Sequence, residues 1–439
     1  MKNTPVDFGK VQEKIKGSGL QNLGSASIRE IVKLVNQIER ATGTRFIRME
    51  MGVPGLPPAK IAVEAEKEAL DAGVASIYPF IEGIRPLKEE AARFVKLFMD
   101  IDVKSEAIVP VAGSMMGAMA CFLVANRNDR NREGTLFIDP GFPVQKQQIR
   151  MLGQDYRSFD VYNYRGAKLK DKLESYLSTG KVSTILYSNP NNPSWICFTE
   201  EELEIIGSLA NKHDAIVIED LAYFGMDFRK DYSAPGLPPF QPTVARYAEK
   251  YILLISGSKI FSYAGQRAAV LVMSDSLYDA RYPDLLRYYS SDRFGHSMIY
   301  GALYGLSSGI THSVQYGLAA VFRAVNDGEY RFLKEVDDYR EKAEIMKRLF
   351  TSNGFRIVYD MDLDEPIADG FYFTISYSGF TGAELLEELL YYGISAITLD
   401  ITGSERTEGL RACVSQVSHD QFGDLEFRLA AFNKDHSSH

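Results

Sequence analysis

Cysteine and histidine are scarce in this chain of 439 residues, which contains three cysteines and six histidines. Cys121, Cys197 and Cys413 are widely spaced and form no CxxC pair. This pattern is typical of reduced thiols and does not suit a disulfide framework or a zinc site. The histidines form no HExxH motif, so we expect no metal centre.

Long apolar runs are also missing. No run approaches the roughly 18–20 residues that cross a bilayer, and residues 1–17 (MKNTPVDFGKVQEKIKG) lack the apolar core of a secretory signal. We therefore expect a cytoplasmic protein that does not enter a membrane. The formal net charge of −9 argues against a nucleic-acid-binding surface, which would carry a basic patch.

The rest of the composition, 45% hydrophobic and 24% charged, is that of an ordinary globular protein, and the length suits two domains. Short apolar runs, each bounded by turn-forming residues, lie at Thr135–Ile138, Ser183–Tyr187, Ala215–Ile218, Tyr251–Ile255 and Ala268–Met273. Such runs favour a parallel sheet buried on both faces. Between them, Glu200–His213 is predicted to be a helix with Thr199 as N-cap and Glu202 completing a capping box. The alternation predicts an α/β fold with a mainly parallel central sheet flanked by helices.

The pattern changes after about residue 300. Helices are predicted over Asp327–Asn353, Glu384–Tyr391 and Asp424–Asn433, and a strand over Gly370–Ser376. We interpret this region as a smaller α+β domain. The predicted organisation is an N-terminal arm of residues 1–50 that packs on the small domain, a large domain of residues 51–320 and a small domain of residues 321–439.

Polar residues gather where the predicted strands end, which is where parallel α/β sheets bind their ligands. Tyr187 is followed by SNPNNPSW, Ile218 by EDLAY and Ile255 by SGSK, and VAGSMMG opens a further helix at residues 111–117. Each segment alone has an ordinary explanation, such as a tight loop, a helix N-cap or a solvated lysine. The four segments share one edge of one predicted sheet, and together they favour a binding site.

Their chemistry is what pyridoxal phosphate requires. The cofactor needs a lysine amine to bond to its aldehyde, a carboxylate beside its ring nitrogen and donors for its phosphate, preferably at a helix N-terminus. Lys259, Asp220 and the loop Gly113–Met115 supply these groups in turn. Ser256, Ser258 and Arg267 add hydroxyl and guanidinium donors near the lysine that suit a phosphate.

The ordered motifs resemble those of the class I/II aminotransferases, which are pyridoxal-phosphate enzymes of fold type I. The resemblance covers most of the chain. SNPNNPSW is similar to the family's NPxNPTG loop, IEDLAYF to its DxxY segment and SGSKIFSYAGQR to its SxSK…R segment. YPFIEGIRPLKEE and GLRACVS resemble the family's YxxxxGxxxL[KR] region and its C-terminal arginine strand.

The resemblance implies a role for each matching residue. Lys259 would bond covalently to the cofactor and later move the proton between the substrate α-carbon and the cofactor, and Asp220 would pair with the ring nitrogen. The other implied cofactor contacts are Tyr223 and Asn192 at the ring 3-oxygen, Phe142 on the ring face, and Gly113, Ser114, Met115, Ser256, Ser258 and Arg267 around the phosphate. Tyr78 would reach the phosphate of the neighbouring subunit, which implies a homodimer with shared sites.

Substrate contacts are implied in the same way. Arg411 would bind the substrate α-carboxylate, for which a planar bidentate donor is suited, with Asn192 beside it. Gly52 would let the backbone approach the same carboxylate. Arg287 lies where dicarboxylate-specific relatives place a second arginine that reaches across the dimer. Arg293 is a rival for that role, and Tyr288 and Tyr289 would equally suit an aromatic-lined pocket.

Two segments depart from the family pattern. Ser194-Trp195 replaces the usual Thr-Gly, and Trp195 is the single tryptophan of the chain. Since a tryptophan is not expected to copy a glycine with positive φ, we expect a different loop path there. Met115-Met116 replaces polar or small residues in the phosphate loop, a change that leaves backbone donors in place.

The expected reaction is transfer of an amino group between an L-amino acid and a 2-oxo acid, with 2-oxoglutarate and glutamate as one pair. A carbon–sulfur lyase or a related synthase would use the same residues on a substrate with a β leaving group. A binding protein that holds the cofactor without turnover is the third reading, although the retained Lys259 speaks against it.

Overall fold

The structure is a computed structural model that describes residues 4–132 and 134–437. The chain forms two compact units. The large unit comprises Leu56–Asn191 and Cys197–Val336. The small unit comprises Asn192–Ile196 and the described parts of Met1–Gly55 and Asp337–His439. The chain thus divides after Gly55 and after Val336, and a five-residue segment of the Asn-Pro loop belongs to the small unit.

The helices of the described ranges are α1 (Phe8–Gly17), α2 (Ile28–Thr42), α3 (Lys60–Asp71), α4 (Arg85–Met99), α5 (Gly113–Ala125), α6 (Pro143–Met151), α7 (Lys168–Leu177), α8 (Glu200–Lys212), α9 (Gly257–Ile260), α10 (Asp275–Asp279), α11 (Phe294–His296), α12 (Tyr304–Ser307), α13 (His312–Asn326), α14 (Phe332–Glu335), α15 (Asp338–Ser352), α16 (Gly382–Tyr391) and α17 (Phe422–His436). A π-helical segment, Ser297–Leu303, joins α11 to α12. The helices α8, α16 and α17 confirm the predicted ones, and the capping box of Thr199 and Glu202 is present.

The strands of the same ranges are β1 (Ile47–Arg48), β2 (Ile108–Val111), β3 (Gly134–Asp139), β4 (Asp155–Asp160), β5 (Val182–Ser188), β6 (Ile216–Leu221), β7 (Tyr251–Ser256), β8 (Ala269–Met273), β9 (Arg356–Ile357), β10 (Met361–Asp362), β11 (Glu365–Pro366), β12 (Tyr372–Ser376), β13 (Ile394–Ser395), β14 (Ile397–Thr398) and β15 (Leu410–Cys413). All five apolar runs singled out in the large unit form strands.

The large unit is built on a seven-stranded sheet with the order β2-β8-β7-β6-β5-β3-β4. β8 is antiparallel to both of its neighbours, and the other six strands run in one direction. The central strands β5, β6 and β7 are buried along their whole length because helices cover both faces. The predicted mainly parallel sheet is confirmed.

Two helices show how the sequence fixes the packing of the large unit. α5 is apolar on all sides, as expected of a helix buried in a core, and an added Cβ at Gly117 would lie 2.9 Å from Leu254 Cδ2 in the sheet. α4 buries one face, from which Phe94 and Phe98 contact Phe332. Since α5 begins two residues after β2 ends, its N-terminus lies at the carboxyl end of that strand.

The small unit contains a four-stranded antiparallel sheet with the order β14-β15-β12-β9. A separate parallel pair joins β1 to β13 through Ile47 and Ile394. Arg411 lies on β15 and is paired with Thr374 on the central strand β12. The predicted α+β character of this part of the chain is confirmed.

The single long helix predicted over Asp327–Asn353 is wrong. The chain leaves α13 at Gly328, whose φ of 78° is incompatible with a continuing helix, and it re-enters helix only in α14 and α15. The apolar periodicity that suggested one helix comes from two separate helices. In the part of the chain that the structure describes, no helix combines the length and apolar character needed to cross a membrane.

Thr199→Ala tests the capping box of α8. The threonine hydroxyl accepts a hydrogen bond from the Glu202 backbone N–H at 3.2 Å, and its loss should lower the free energy of unfolding by about 1 kcal/mol. Urea denaturation measures the change. Ser175→Ala on the exposed side of α7 is the control and should stay within about 0.5 kcal/mol of the parent. Equal effects of the two substitutions would contradict the capping role.

Candidate active site

The polar strand ends of the large unit meet at one edge of its sheet. Ala269, the first residue of β8, pairs with Val111 at the end of β2 and with Ser256 at the end of β7. Ser188 at the end of β5 pairs with Asp220 near the end of β6. β8 runs antiparallel to β2 and β7. The residues that precede β8 therefore lie at the same edge of the sheet as the residues that follow β2 and β7. This register brings together the four segments that the sequence singled out.

Asp220 is a buried carboxylate with few partners at this edge. Its Oδ2 accepts a hydrogen bond from Gln145 Nε2 at 2.8 Å, and its Oδ1 accepts one from the backbone N–H of Ala222 at 3.2 Å. Burial raises the pKa of Asp220 to about 6, because these two bonds only partly offset the loss of water. A cation beside Asp220 would remove this penalty.

Gln145 is a site residue that the sequence analysis missed. It lies on the first turn of α6, three residues after Phe142. Phe142 is the half-buried N-cap residue of α6. This i, i+3 spacing from an implied cofactor contact is the signal that could have revealed Gln145.

Glu219, the residue before Asp220, performs a different task on the opposite face of the sheet. It accepts hydrogen bonds from Thr243 Oγ1 at 2.6 Å, the Val244 backbone N–H at 3.2 Å and Asn189 Nδ2 at 3.4 Å. Its pKa is raised to about 7 because it is completely buried. Through Asn189, this acid holds the start of the Asn-Pro loop.

Lys259 and two serines lie at the end of β7 and in the short helix α9 that follows it. Ser256 is the N-cap residue of α9, and its hydroxyl accepts the Ser258 backbone N–H at 3.1 Å. Both serines are buried, while Lys259 is half-buried on the same short helix. Tyr223 is buried in the turn after β6. The pairing of β6 with β7 therefore carries Lys259 to the edge that Asp220 occupies.

The N-terminus of α5 has the features of an anion site. Ala112, its N-cap residue, makes no side-chain capping bond, and the buried Ser114 Oγ has no hydrogen-bond partner among the described residues. Gly113 has a φ of 74°, and an added Cβ there would lie 2.4 Å from Arg267 Nη2. Uncapped backbone donors, an unused hydroxyl and a guanidinium thus surround one space, as a phosphate requires.

Met115 and Met116 leave this arrangement intact. Met115 is exposed, and its backbone carbonyl accepts a hydrogen bond from Gln148 Nε2 at 2.8 Å. Met116 is half-buried against the core of the large unit. The two methionine side chains therefore affect the packing around α5, and the backbone N–H groups of its first turn stay available.

Arg411 is the central residue of the small unit's polar site. It is 1% exposed and donates to the Glu50 carbonyl at 2.7 Å and to Asn192 Oδ1 at 3.3 Å. Its guanidinium carbon lies 4.5 Å from the ring centroid of Tyr372. No carboxylate of the described residues forms an ion pair with Arg411, and its Nε lacks a hydrogen-bond partner among them. A buried guanidinium in this state is suited to an anionic ligand.

Gly52 borders the same site, for a reason that the sequence did not reveal. An added Cβ at Gly52 would lie 1.9 Å from the Tyr372 hydroxyl oxygen. The missing side chain therefore makes room for the tyrosine whose ring lies against Arg411.

The expectation that Trp195 cannot take a glycine-like conformation is wrong. Trp195 has a φ of 65° and is completely buried. The left-handed conformation costs a non-glycine residue roughly 1–2 kcal/mol. Burying on the order of 200 Å² of aromatic surface contributes ~5 kcal/mol, which outweighs that cost.

Three of the predicted residues lie at the surface of the large unit, apart from the cluster. Tyr78 is 91% exposed, and Arg287 and Arg293 are exposed as well. Arg287 lies over the ring of its neighbour Tyr288 at 5.3 Å. None of these contacts supports or opposes the roles given to them, which stay predictions.

One group of possible metal ligands lies in the small unit. Oxygen or nitrogen atoms of Asp338, Glu341 and His419 lie within 4.8 Å of one another. Asp338 already forms an ion pair with Lys342 at 2.8 Å and contacts His419 at 2.7 Å. These internal partners account for the cluster without a metal.

The comparison with known proteins agrees with the geometry of the site. The family model for aminotransferase class I and II matches residues 45–425. The chain belongs to this family. Its cofactor is therefore pyridoxal 5′-phosphate, which class I and II aminotransferases use.

Individual relatives are distant. A probable aspartate aminotransferase of Methanocaldococcus jannaschii is 24% identical over 59% of this chain and 64% of its own length. An LL-diaminopimelate aminotransferase of Natranaerobius thermophilus is 25% identical over 77% of this chain and 81% of its own length. The chain thus covers less than two thirds of the Methanocaldococcus protein.

The solved structures show the fold. An alanine aminotransferase from Pyrococcus furiosus superposes with a TM-score of 0.75, covering 94% of this chain and 98% of the other, at 17% identity. The fold type I architecture is confirmed.

The residues of the large unit fit the cofactor. The space at the N-terminus of α5 suits its phosphate, and the buried carboxylate of Asp220 suits its ring nitrogen. Bound there, the cofactor would act as the electron acceptor for bond breaking at the substrate α-carbon.

Asp220→Asn tests the cost of the buried carboxylate. The pKa of Asp220 is higher in the folded apoprotein than in the unfolded chain, so the protonated carboxyl group favours the folded state. This contribution to stability is complete below the unfolded pKa and is lost as the pH rises through about 6. At about pH 7.5 the apoprotein variant should be more stable than the parent, by up to about 3 kcal/mol, and at about pH 4 the difference should vanish.

Urea denaturation of the two apoproteins measures this difference, and cofactor titration should show weaker binding by the variant. Glu426→Gln, at an exposed position beyond the first turn of α17, is the control and should change neither quantity. An apoprotein difference that is independent of pH would contradict this account of Asp220.

Proposed function

We propose that this protein is a pyridoxal-phosphate-dependent aminotransferase that moves an amino group between an L-amino acid and a 2-oxo acid, with glutamate and 2-oxoglutarate as one pair. The observation that carries the proposal is the set Lys259, Asp220 and Ser114 at one edge of the large sheet, in a chain of the class I and II family. Curated relatives whose names state aminotransferase activity support it.

In this proposal each group of residues has one task. Lys259 would hold the cofactor covalently and, once the amino group of the substrate displaces it, its free amine would carry the proton to and from the substrate α-carbon. Asp220, oriented by Gln145, keeps the ring nitrogen protonated. Tyr223 and Asn192 bind the ring 3-oxygen, and Phe142 covers the ring face. The phosphate is held by Gly113, Ser114, Met115, Ser256, Ser258 and Arg267.

Arg411 binds the α-carboxylate of the substrate. Amino acids and 2-oxo acids both carry this group, so one arginine serves both half-reactions. Its burial, its free Nε and the absence of an internal ion pair among the described residues support the assignment. Asn192, 3.3 Å from Arg411, would orient the guanidinium.

A homodimer with shared sites completes the proposal. Large apolar side chains are exposed together on the large unit, including Ile77, Tyr78 and Phe80. Tyr300, itself 43% exposed, donates to Glu82 at 2.5 Å and so joins this surface to the π-helical segment. Exposed aromatic surface of this kind favours a partner subunit, and Tyr78 would then reach the partner's cofactor.

We also propose a cytoplasmic location. The three cysteines form no disulfide among the described residues, and Cys121 and Cys413 are buried. Free thiols are typical of proteins in a reducing compartment.

The absorbance spectrum of the purified protein with added cofactor is the first test. An L-amino acid should bleach the visible cofactor band, and 2-oxoglutarate should restore it. Lys259→Ala should lower turnover by at least about 10²–10⁴-fold, the usual contribution of a positioned proton carrier. Lys170→Ala, at an exposed position on α7, is the matched control and should be active.

Two outcomes would contradict the proposal. Release of pyruvate without recovery of the band would indicate a lyase. Substantial transamination by Lys259→Ala would remove the assigned role of that lysine.

The side-chain preference can be tested at Arg287. If Arg287 binds a second carboxylate, Arg287→Ala should raise KM for glutamate and aspartate by about tenfold or more and leave KM for alanine unchanged. Steady-state kinetics with the three amino acids measure this. Arg293→Ala is the matched comparison on the same exposed segment. Equal effects on all three substrates would exclude the dicarboxylate role.

A further inference from the structure

Trp195 has a strained backbone conformation that a glycine would adopt without strain. It takes a left-handed φ of 65° and is the single tryptophan of the chain. The strained conformation persists only if the side chain makes contacts that a smaller residue could not make. The contacts of its indole therefore indicate what the residue does.

The indole lies between Gly370 and Tyr372 within the small unit. An added Cβ at Gly370 would lie 2.2 Å from the indole Nε1 and Cε2, so only a glycine admits the ring. The indole also contacts the ring of Tyr372. The two ring planes meet at an angle of 72°, with 6.1 Å between the ring centroids. This edge-to-face geometry is a favourable one for aromatic pairs.

Tyr372 passes the contact on to Arg411. The guanidinium carbon lies 4.5 Å from the Tyr372 ring centroid, within the range of a cation–π interaction. The hydroxyl end of the ring occupies the space that Gly52 leaves open. Trp195, Tyr372 and Arg411 thus form a continuous buried column, with one glycine making room for each aromatic ring.

We propose that Trp195 is a positioning residue for carboxylate binding: its indole fixes the Tyr372 ring, and that ring holds the Arg411 guanidinium in the orientation that binds the substrate carboxylate. The inference rests on the proposed function, because Arg411 is assigned to the α-carboxylate there. The hydrogen bonds to Glu50 and Asn192 fix two nitrogens of the guanidinium, and the ring fixes its plane.

A positioning role predicts a specific kinetic pattern. Both substrates carry the α-carboxylate, so Trp195→Phe should raise KM for the amino acid and for the 2-oxo acid by a similar factor of about ten. The kcat and the affinity for pyridoxal phosphate should change less than the KM values, because every assigned cofactor contact except Asn192 belongs to the large unit.

The control removes a buried ring from the same unit without touching the column. Phe432 packs against Phe355, Tyr377 and Tyr392. Phe432→Leu should lower the melting temperature and leave both KM values unchanged. If Trp195→Phe lowers the melting temperature in the same way and leaves KM unchanged, the residue is structural and the proposal is wrong.

A double-mutant cycle tests whether Trp195 acts through Tyr372. Tyr372→Leu removes the ring that lies against Arg411 and should raise both KM values itself. In Trp195→Phe/Tyr372→Leu the first substitution should then add less than twofold, since the ring that it supports is gone. Full additivity of the two effects would show that Trp195 does not act through Tyr372.

Binding of propionate separates this inference from the proposed function. Calorimetry with the cofactor-loaded protein measures carboxylate affinity without turnover. Weaker propionate binding by Trp195→Phe supports the column even if the parent proves inactive as a transaminase. Unchanged propionate affinity in an active enzyme overturns the column alone. If Trp195→Phe does not fold, Gly370→Ala displaces the indole while retaining it, and the same outcomes apply.

Discussion

Burial of a carboxylate at the end of a parallel strand is the constraint around which the large unit is organised. Asp220 receives hydrogen bonds from Gln145 and Ala222, but hydrogen bonds do not neutralise a charge in a low-dielectric interior, and its pKa rises to about 6. A protonated ring nitrogen of pyridoxal phosphate, placed beside Asp220 as we propose, would supply the missing cation. Ionisation of Asp220 and protonation of the cofactor would then stabilise each other, so that the free-energy cost of burial would become a contribution to cofactor binding.

The adjacent acid shows how the same strand serves a second purpose. Side chains alternate along β6, so Glu219 faces away from Asp220 and accepts three hydrogen bonds that hold Asn189 and the segment at Thr243. Both acids lack a counter-ion among the described residues and both have raised pKa values, but Glu219 accepts three hydrogen bonds and Asp220 accepts two. The donors to Glu219 belong to loop segments that it holds in place, whereas we propose that Asp220 meets the cofactor.

Much of the large unit could be predicted because its signals are local. Apolar runs identified five of the seven strands, and Thr199 with Glu202 marked the start of α8. The helix predicted from Asp327 begins too early, because one glycine is tolerable within an apolar period of 3.6 residues, whereas Gly328 has a φ of 78° and lies where α13 has ended. Gln145 was missed because its hydrogen bond to Asp220 joins residues 75 positions apart, and its spacing from Phe142 was the single local signal for it. The roles of Tyr78, Arg287 and the carboxylate site stay predictions.

Trp195 illustrates why a local rule can fail at a ligand site. A positive φ favours glycine unless another interaction compensates for the strain. Here burial of the indole contributes more free energy to folding than the strained φ costs. The small residue is instead required at Gly370, where an added Cβ would collide with the ring. The volume of the indole is thus accommodated at Gly370, and the indole contacts Tyr372. An isolated motif cannot reveal this exchange, because its two members lie 175 positions apart in the chain.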